Sequence, residues 1–296
     1  GAPGVDTGAA PEPLGERKIS ETLHFARRNP KLLIGSSIVV AFLLLGVFGP
    51  FFINHGPNEY IGPQSTAPSG DHWLGTNTFG QDVWAQFLYG VRATFLIGFL
   101  GGGVAFLIGT TVGFFAGYKG GIIDEILNML TNVVLVLPAL VVLIIASAYL
   151  DVRGLFVQAV FIGLTTWPWA ARAVRSQTLS LATREYVDLA RLSGRRTWRI
   201  ITAEVAPNMS SYLVMSFILM FGGAVLTAAG LDFIGLGPTD GVSLGLMLES
   251  SVAWSALQLG MWWWFIPPGL GITAIVSSMY ILNVGLDEVF NPKLRE

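Results

Sequence analysis

Residues 93–118 read ATFLIGFLGGGVAFLIGTTVGFFAGY, 26 positions without one charged side chain. Crossing the hydrocarbon core of a bilayer takes about 20 apolar residues. Working outward, uncharged windows of 22, 25, 18, 27 and 37 residues occur at 32–53, 126–150, 154–171, 205–231 and 250–286. The last is too long for one crossing and opens weakly polar over 250–260, which places its helix at 261–286. A charge at the bilayer centre costs at least about 2.5 kcal/mol, so six such gaps are not expected by chance. A soluble helical protein would need a charged face on every helix, and none of these windows has one. The pattern predicts an all-α integral membrane protein with six transmembrane helices at about 32–53, 93–118, 126–150, 154–171, 207–231 and 261–286.

Composition agrees. Of 296 residues 52% are hydrophobic and 12% charged, where a soluble domain carries about 25% charged residues. The mean hydropathy is positive. A net charge of −2 gives no global field for nucleic acid, which is excluded as a partner. Zero Cys excludes disulfides, thiolate metal sites and cysteine nucleophiles, and three His make a histidine metal centre improbable.

The first window begins after residue 31 and exceeds a signal-peptide core, so it is read as a retained span. The chain opens on Gly1 and not on Met, which leaves open whether residues 1–15 are native; rich in Gly, Ala and Pro, they read as a disordered tail. Hydrophobic and charged residues alternate over 19–28, which suits a short amphipathic helix on the membrane surface within a cytoplasmic tail at 1–31, or a plain solvated linker. Fifteen of the seventeen Lys and Arg fall on the side that holds both termini; only Arg92 and Arg153 fall on the other. The positive-inside rule then puts both termini, including 291–296, in the cytoplasm.

Two loops are long. The external one, 54–92, holds Pro57, Pro63 and Pro68 among many glycines, and turns helical only from about Asp82. The cytoplasmic one, 172–206, carries seven Arg. Within it Tyr186, Leu189, Ala190 and Ser193 recur at helical spacing, Gly194 is a helix stop, and Arg195–Trp198 can start a second short helix. Such a helix–Gly–helix unit suits docking on another protein; a generic positive-inside loop explains its charge but not its patterning.

Three segments carry a resemblance. Glu185-Tyr186-Val187-Asp188-Leu189-Ala190-Arg191-Leu192-Ser193-Gly194, then nine residues and Glu204-Val205-Ala206-Pro207, resembles the EAA loop of bacterial ABC importer permeases. Asp188, Ala190, Gly194 and Pro207 match that pattern, while Leu189, Glu204 and Ala206 depart from it. Gly70–Val83 is similar to the "hPFGTDxxGRDV" segment of peptide and nickel importer permeases, and Leu231–Gly237 to their "LSFLGLG". Asn77 and Gln81 stand where that family usually has Asp and Arg, and Ser243–Leu248 reduces a Trp-Gly-x-Met-Leu segment.

The resemblance covers nearly all of residues 30–295. It implies a type I ABC importer permease, the C-type subunit of the dipeptide/oligopeptide/nickel group, with a six-span permease domain at 32–290. Implied partners are a second permease chain in a heterodimer, two cytoplasmic ATPases that hold ATP and Mg, an extracytoplasmic substrate-binding protein, and the lipid bilayer of the bacterial inner membrane. No cofactor is expected on this chain. The matched positions make Glu185, Asp188, Ala190, Arg191, Gly194, Arg195, Arg196, Trp198 and Pro207 the expected ATPase-coupling residues. Gly75, Thr76, Asn77, Gly80 and Asp82 are the expected external gate or binding-protein contact. Substrate could be a di- or oligopeptide, nickel or another small solute; a stand-alone secondary carrier is the rival class.

No catalytic or metal constellation is visible. Gly101-Gly102-Gly103 lacks the Lys and Ser/Thr of a phosphate loop. Gly109, Gly113 and Gly117 share one helix face, for internal packing or a dimer seam. Trp167, Trp169 and 262–264 read as interfacial belt residues, and Asn128, Asn132 and Asn283 as polar groups that hydrogen-bond within the bundle or line a path. Asp124–Glu125 and Asp287–Glu288 read as helix caps.

Overall fold

A computed structural model describes residues 28–149, 154–239 and 241–290. The tail at 1–15, almost all of the 19–28 segment and the terminus at 291–296 lie outside the described residues. Asn29 opens the first helix: its side-chain oxygen accepts from the backbone N–H of Lys31 (3.0 Å) and Leu32 (3.1 Å), with Pro30 at the first helical position. This helix, α1 (Pro30–Phe48), ends in a 3-10 turn, Gly49–Phe52. After the external loop, Asp82 caps α2 (Val83–Lys119) by accepting from the N–H of Trp84 at 2.9 Å. There follow α3 (Gly121–Val136), α4 (Ala139–Tyr149) and α5 (Leu155–Ala182). Next come α6 (Glu185–Leu192), α7 (Thr197–Ile200), a π turn (Ile201–Val205) and α8 (Ala206–Asn208). The chain closes with α9 (Ser210–Phe233), α10 (Leu244–Ala253) and α11 (Trp262–Phe290).

Among the described residues four helices are long and apolar enough to cross a bilayer: α1 with its 3-10 turn, α2, α9 and α11. The pair α3 and α4 makes a fifth if its two arms, bent by 74°, form one crossing. The expected third span, 126–150, is therefore broken. Leu137 precedes Pro138 and is extended (φ −73°, ψ 124°), as the ring of a following proline requires. The expected fourth span, 154–171, falls in the first part of the 28-residue α5, which continues through Arg172 and Arg175 to Ala182 and is not in that apolar set. The first eleven residues of the expected cytoplasmic loop, 172–182, are thus helix.

Packing centres on α2 against α5, the most extensive pairing of elements. Glycine makes it possible. A Cβ on Gly109 would meet Ala170 Cβ at 2.5 Å, one on Gly113 the carbonyl oxygen of Ala171 at 2.7 Å, and one on Gly117 that of Arg175 at 2.7 Å. The glycine face serves contact inside the chain. Around it α9 and α11 bury Phe95, Phe221, Trp264 and Ile275, and α1 lies along α11.

Several expectations need correction. Trp167 and Trp263 are buried and Trp264 is 1% exposed; only Trp169 and Trp262 present the exposed rings expected of a belt. A helix turns about 100° per residue, so Trp167, Trp263 and Trp264 face inward while Trp169 and Trp262 on the same helices face out. One carboxylate of each acidic pair also forms an ion pair between helices, and Asp124 stands in the first turn of α3 as expected. Arg175 grips Asp124 through Nε (2.5 Å) and Nη2 (2.6 Å), tying α5 to α3. Glu288 binds Lys31 and accepts from Asn29 Nδ2 at 2.8 Å, tying the end of α11 to the start of α1.

Candidate functional site

The segment after α5 folds as a helix–Gly–helix unit. Ser193 closes α6, and Gly194 sits at φ +72°, the left-handed region open to glycine. The N–H of Arg195 then reaches back to the carbonyl of Ala190 (3.4 Å) and that of Gly194 to Arg191 (3.0 Å), which closes the helix end. A Cβ at Gly194 would meet nothing within 4 Å, so the restriction is conformational and not steric. Pro207, without an N–H, lies at the start of α8 just after the π turn, where the Ala206 N–H bonds five residues back to Ile201.

An apolar foundation holds the unit. Val187 and Ala190 of α6 pack with Val174, Ile200, Val205 and Met209. Leu189, placed on that face by periodicity, is instead exposed, as are Leu192 (85%) and Trp198. In an eight-residue helix the apolar pairs 186/189 and 187/190 fit the spacing equally well, and tertiary packing chose the second. Glu185, Asp188, Arg191, Gly194, Arg195, Arg196 and Pro207 are also on the surface, whereas Ala190 is part of the foundation.

Two contacts fasten the surface to the bundle, and one ion pair braces it internally. Arg191 donates through Nε to the Tyr118 hydroxyl (3.3 Å) and through Nη1 to Asp188 (3.0 Å), with its guanidinium carbon 4.9 Å from the Tyr118 ring centre. The Tyr118 oxygen, with help from Asp188, outweighs partial burial and holds the Arg191 pKa above its ordinary value. Arg195 bridges to Glu204 at 2.6 Å. Trp198 stacks on Phe115, ring centres 6.3 Å apart and 18° from parallel. Tyr118 and Phe115 end α2, so the unit is joined to the longest helix. Sequence reasoning missed both; aromatic residues on the last turn before Lys119 were the available signal.

At the opposite end of α2, the five expected gate residues form the inside of the external loop. Thr76 is 0% exposed and Asn77 1%. Thr76 Oγ1 donates to the Pro63 carbonyl (2.6 Å), and its own carbonyl accepts from Trp263 Nε1 (3.2 Å). Asn77 Oδ1 accepts from the N–H groups of Phe79 (2.9 Å) and Gln81 (3.0 Å), while its Nδ2 donates to Gln81 Oε1 (2.8 Å). Gly75 has φ +64° with the Thr66 carbonyl 2.3 Å from where a Cβ would stand, and Gly80 has φ +70° with Gly62 similarly close. His55 Nε2 lies 3.5 Å from Asp82 Oδ2. The outward surface belongs to Tyr60, Trp73 and the edge of Phe79, which meets Trp254 at 4.8 Å between centres.

A third cluster escaped the sequence reading. Asp232, buried at the end of α9, accepts from Gln158 Nε2 of α5 (2.6 Å) and from Ser243 Oγ, the residue that also caps α10. An Asp where the resembled segment has Ser was the signal. Among the described residues no group of three or more His, Cys, Asp or Glu could hold a metal ion.

Residues 109–296 match the family described as binding-protein-dependent transport system inner membrane component. The chain belongs to that family. It is 32% identical over 271 residues to the dipeptide transport system permease protein DppC of Bacillus subtilis (strain 168), covering 91% of this chain and 84% of that protein. It is 30% identical over 275 residues to the oligopeptide transport system permease protein OppC of the same organism, covering 91% and 88%. It is also 28% identical over 273 residues to the probable D,D-dipeptide transport system permease protein DdpC of Escherichia coli (strain K12), covering 90% and 88%.

Proposed function

We propose that this chain is one of two permease subunits of an ATP-driven importer for di- or oligopeptides. The observation that carries the reading is a helix–Gly–helix unit with exposed Leu189, Leu192 and Trp198, braced on Tyr118 of α2, in a chain of the binding-protein-dependent transport family. A second permease chain would complete the path, against the exposed apolar faces of α1, α3 and α4. Two cytoplasmic ATPases hold ATP and Mg and perform the hydrolysis; this chain binds neither. The external loop, shaped by Gly75, Thr76, Asn77, Gly80 and Asp82, forms the outer gate or receives a substrate-binding protein. Six crossings, with α3–α4 and α5 as the third and fourth, put both termini in the cytoplasm of a bacterial inner membrane. Nickel is named for none of the three relatives above, which favours peptides within the group.

The mechanism is alternating access. ATP binding draws the ATPases together, and Glu185, Asp188, Arg191, Gly194, Arg195, Arg196, Trp198 and Pro207 form the surface they pull, with Ala190 beneath it. Tyr118 and Phe115 pass that displacement to α2, and the close α2–α5 seam makes the two helices move as one body. Mild-detergent purification of the tagged chain should recover a second permease and ATPase subunits, and the reconstituted assembly with its binding protein should import dipeptide on ATP. Recovery of the chain alone, or ATP-independent uptake, would defeat the reading.

A further inference from the structure

Among the described helices of bilayer length, α3 alone with its partner α4 opens on a strongly two-sided arm. Glu125, Asn128 and Asn132 fall at i, i+3 and i+7, hence on one face, where they line an open recess of about 550 Å³ with Met129 and Val136. Asn128 and Asn132 lie within the expected third span, where polar side chains face a bundle interior or a water-filled cavity because lipid cannot satisfy them, while Glu125 and Arg172 stand at its cytoplasmic boundary. Among the described residues Glu125 and Asn132 are exposed.

The charges are arranged in order. Arg175 is committed to Asp124 by two bonds, which leaves Glu125 as the carboxylate of the recess. Arg172 reaches over from α5 and donates through Nη2 to Asn132 Oδ1 at 2.7 Å. The stripe therefore runs from a carboxylate, through two carboxamides, to a guanidinium. Seven residues of α-helix span about 10.5 Å. An extended chain covers about 3.3–3.6 Å per residue, so about three residues match the full stripe.

We propose that Glu125, Asn128 and Asn132 of α3, with Arg172 of α5, form a wall of the translocation path that contacts a short zwitterionic peptide. Glu125 faces the peptide's ammonium end, Arg172 its carboxylate, and the two Asn side chains its backbone amides. This rests on the peptide-import reading above and adds the residues that meet the cargo.

The test uses the complete reconstituted importer. Asn128→Cys, in a chain without cysteine, should react with a water-soluble, membrane-impermeant thiol reagent. Dialanine during ATP turnover should slow that labelling several-fold. Glu125→Gln and Arg172→Gln should each lower maximal dipeptide uptake about tenfold, the scale of one lost charge-assisted contact, with membrane level and ATPase pull-down unchanged. A cysteine at 128 that never labels in the assembled complex would mean the partner chain covers the stripe, and would overturn the inference. Labelling indifferent to dialanine, or normal uptake by both variants, would overturn it as well while wild-type import upholds the function. A wild-type complex that imports no peptide would bring down both.

Discussion

At Gly194 a single backbone angle meets the proposed coupling mechanism. At φ +72° with open space around its missing Cβ, a substitution there costs conformational energy alone, on the order of 1–3 kcal/mol for a β-branched residue. Gly194→Val should leave membrane insertion intact and weaken ATPase pull-down about ten- to hundred-fold, while Gly194→Asn, which tolerates that region, should lose far less. Equal loss in both variants would point to a contact and not to the backbone. Tyr118 makes a second case. Tyr118→Phe removes the oxygen that Arg191 bonds but keeps the ring beneath its guanidinium, so uptake should fall modestly; Tyr118→Ala removes both and should fall at least tenfold. A third residue-scale observation concerns Asn77 and Gln81. The two places where the external segment departs from its resembled pattern are bonded to each other at 2.8 Å. Where that pattern has Asp and Arg, this chain has two amides bonded to each other, a coupling invisible to position-by-position reading.

Among elements, the α2–α5 seam is the most demanding. A side chain on Gly113 would meet the Ala171 carbonyl and Val174 Cβ, both anchored in helix, so neither can yield cheaply. Gly113→Leu should cost about 1–3 kcal/mol by overpacking and reduce the amount of chain recovered from membranes, whereas Gly103→Leu, with open space, should not. Helix positions were legible because uncharged length and glycine spacing are properties of local sequence. The bend at Leu137 was missed because Pro138 sits in an otherwise unbroken apolar run, and charge counting does not see it. The face of α6 was misjudged for a different reason: two turns of helix offer too few positions for periodicity to decide. Burial of Thr76 was not legible from its neighbourhood alone, since Trp263, which bonds its carbonyl, lies almost 190 positions away.

For the whole molecule, the asymmetry of charge makes a topological claim. Single cysteines at Ser65 and Thr183 should label from opposite sides of intact cells, Ser65 from outside. Reaction of both with an impermeant reagent would overturn the six-crossing arrangement. The external loop and the helix–Gly–helix unit sit at opposite ends of α2, and so do the buried cluster at Asp232 and the Ala182 end of α5. Deleting residues 63–70 removes the Pro63 and Thr66 partners of Thr76; it should abolish uptake while ATPase pull-down persists.

The length of α2 has a further consequence. Its 37 residues form a rod of about 55 Å, with Asp82 capping one end and Tyr118 bracing the other. A rod that long also fixes an angular phase between its ends. Each residue of α-helix turns the chain by about 100°, so one residue added between Leu88 and Gly98 would leave the glycine seam seated while swinging the external loop a quarter-turn around the axis. Four added residues would return it to within about 40° of its starting direction. Uptake that fails with one inserted alanine and partly recovers with four would show that the two ends of this helix are timed by rotation as well as joined by length.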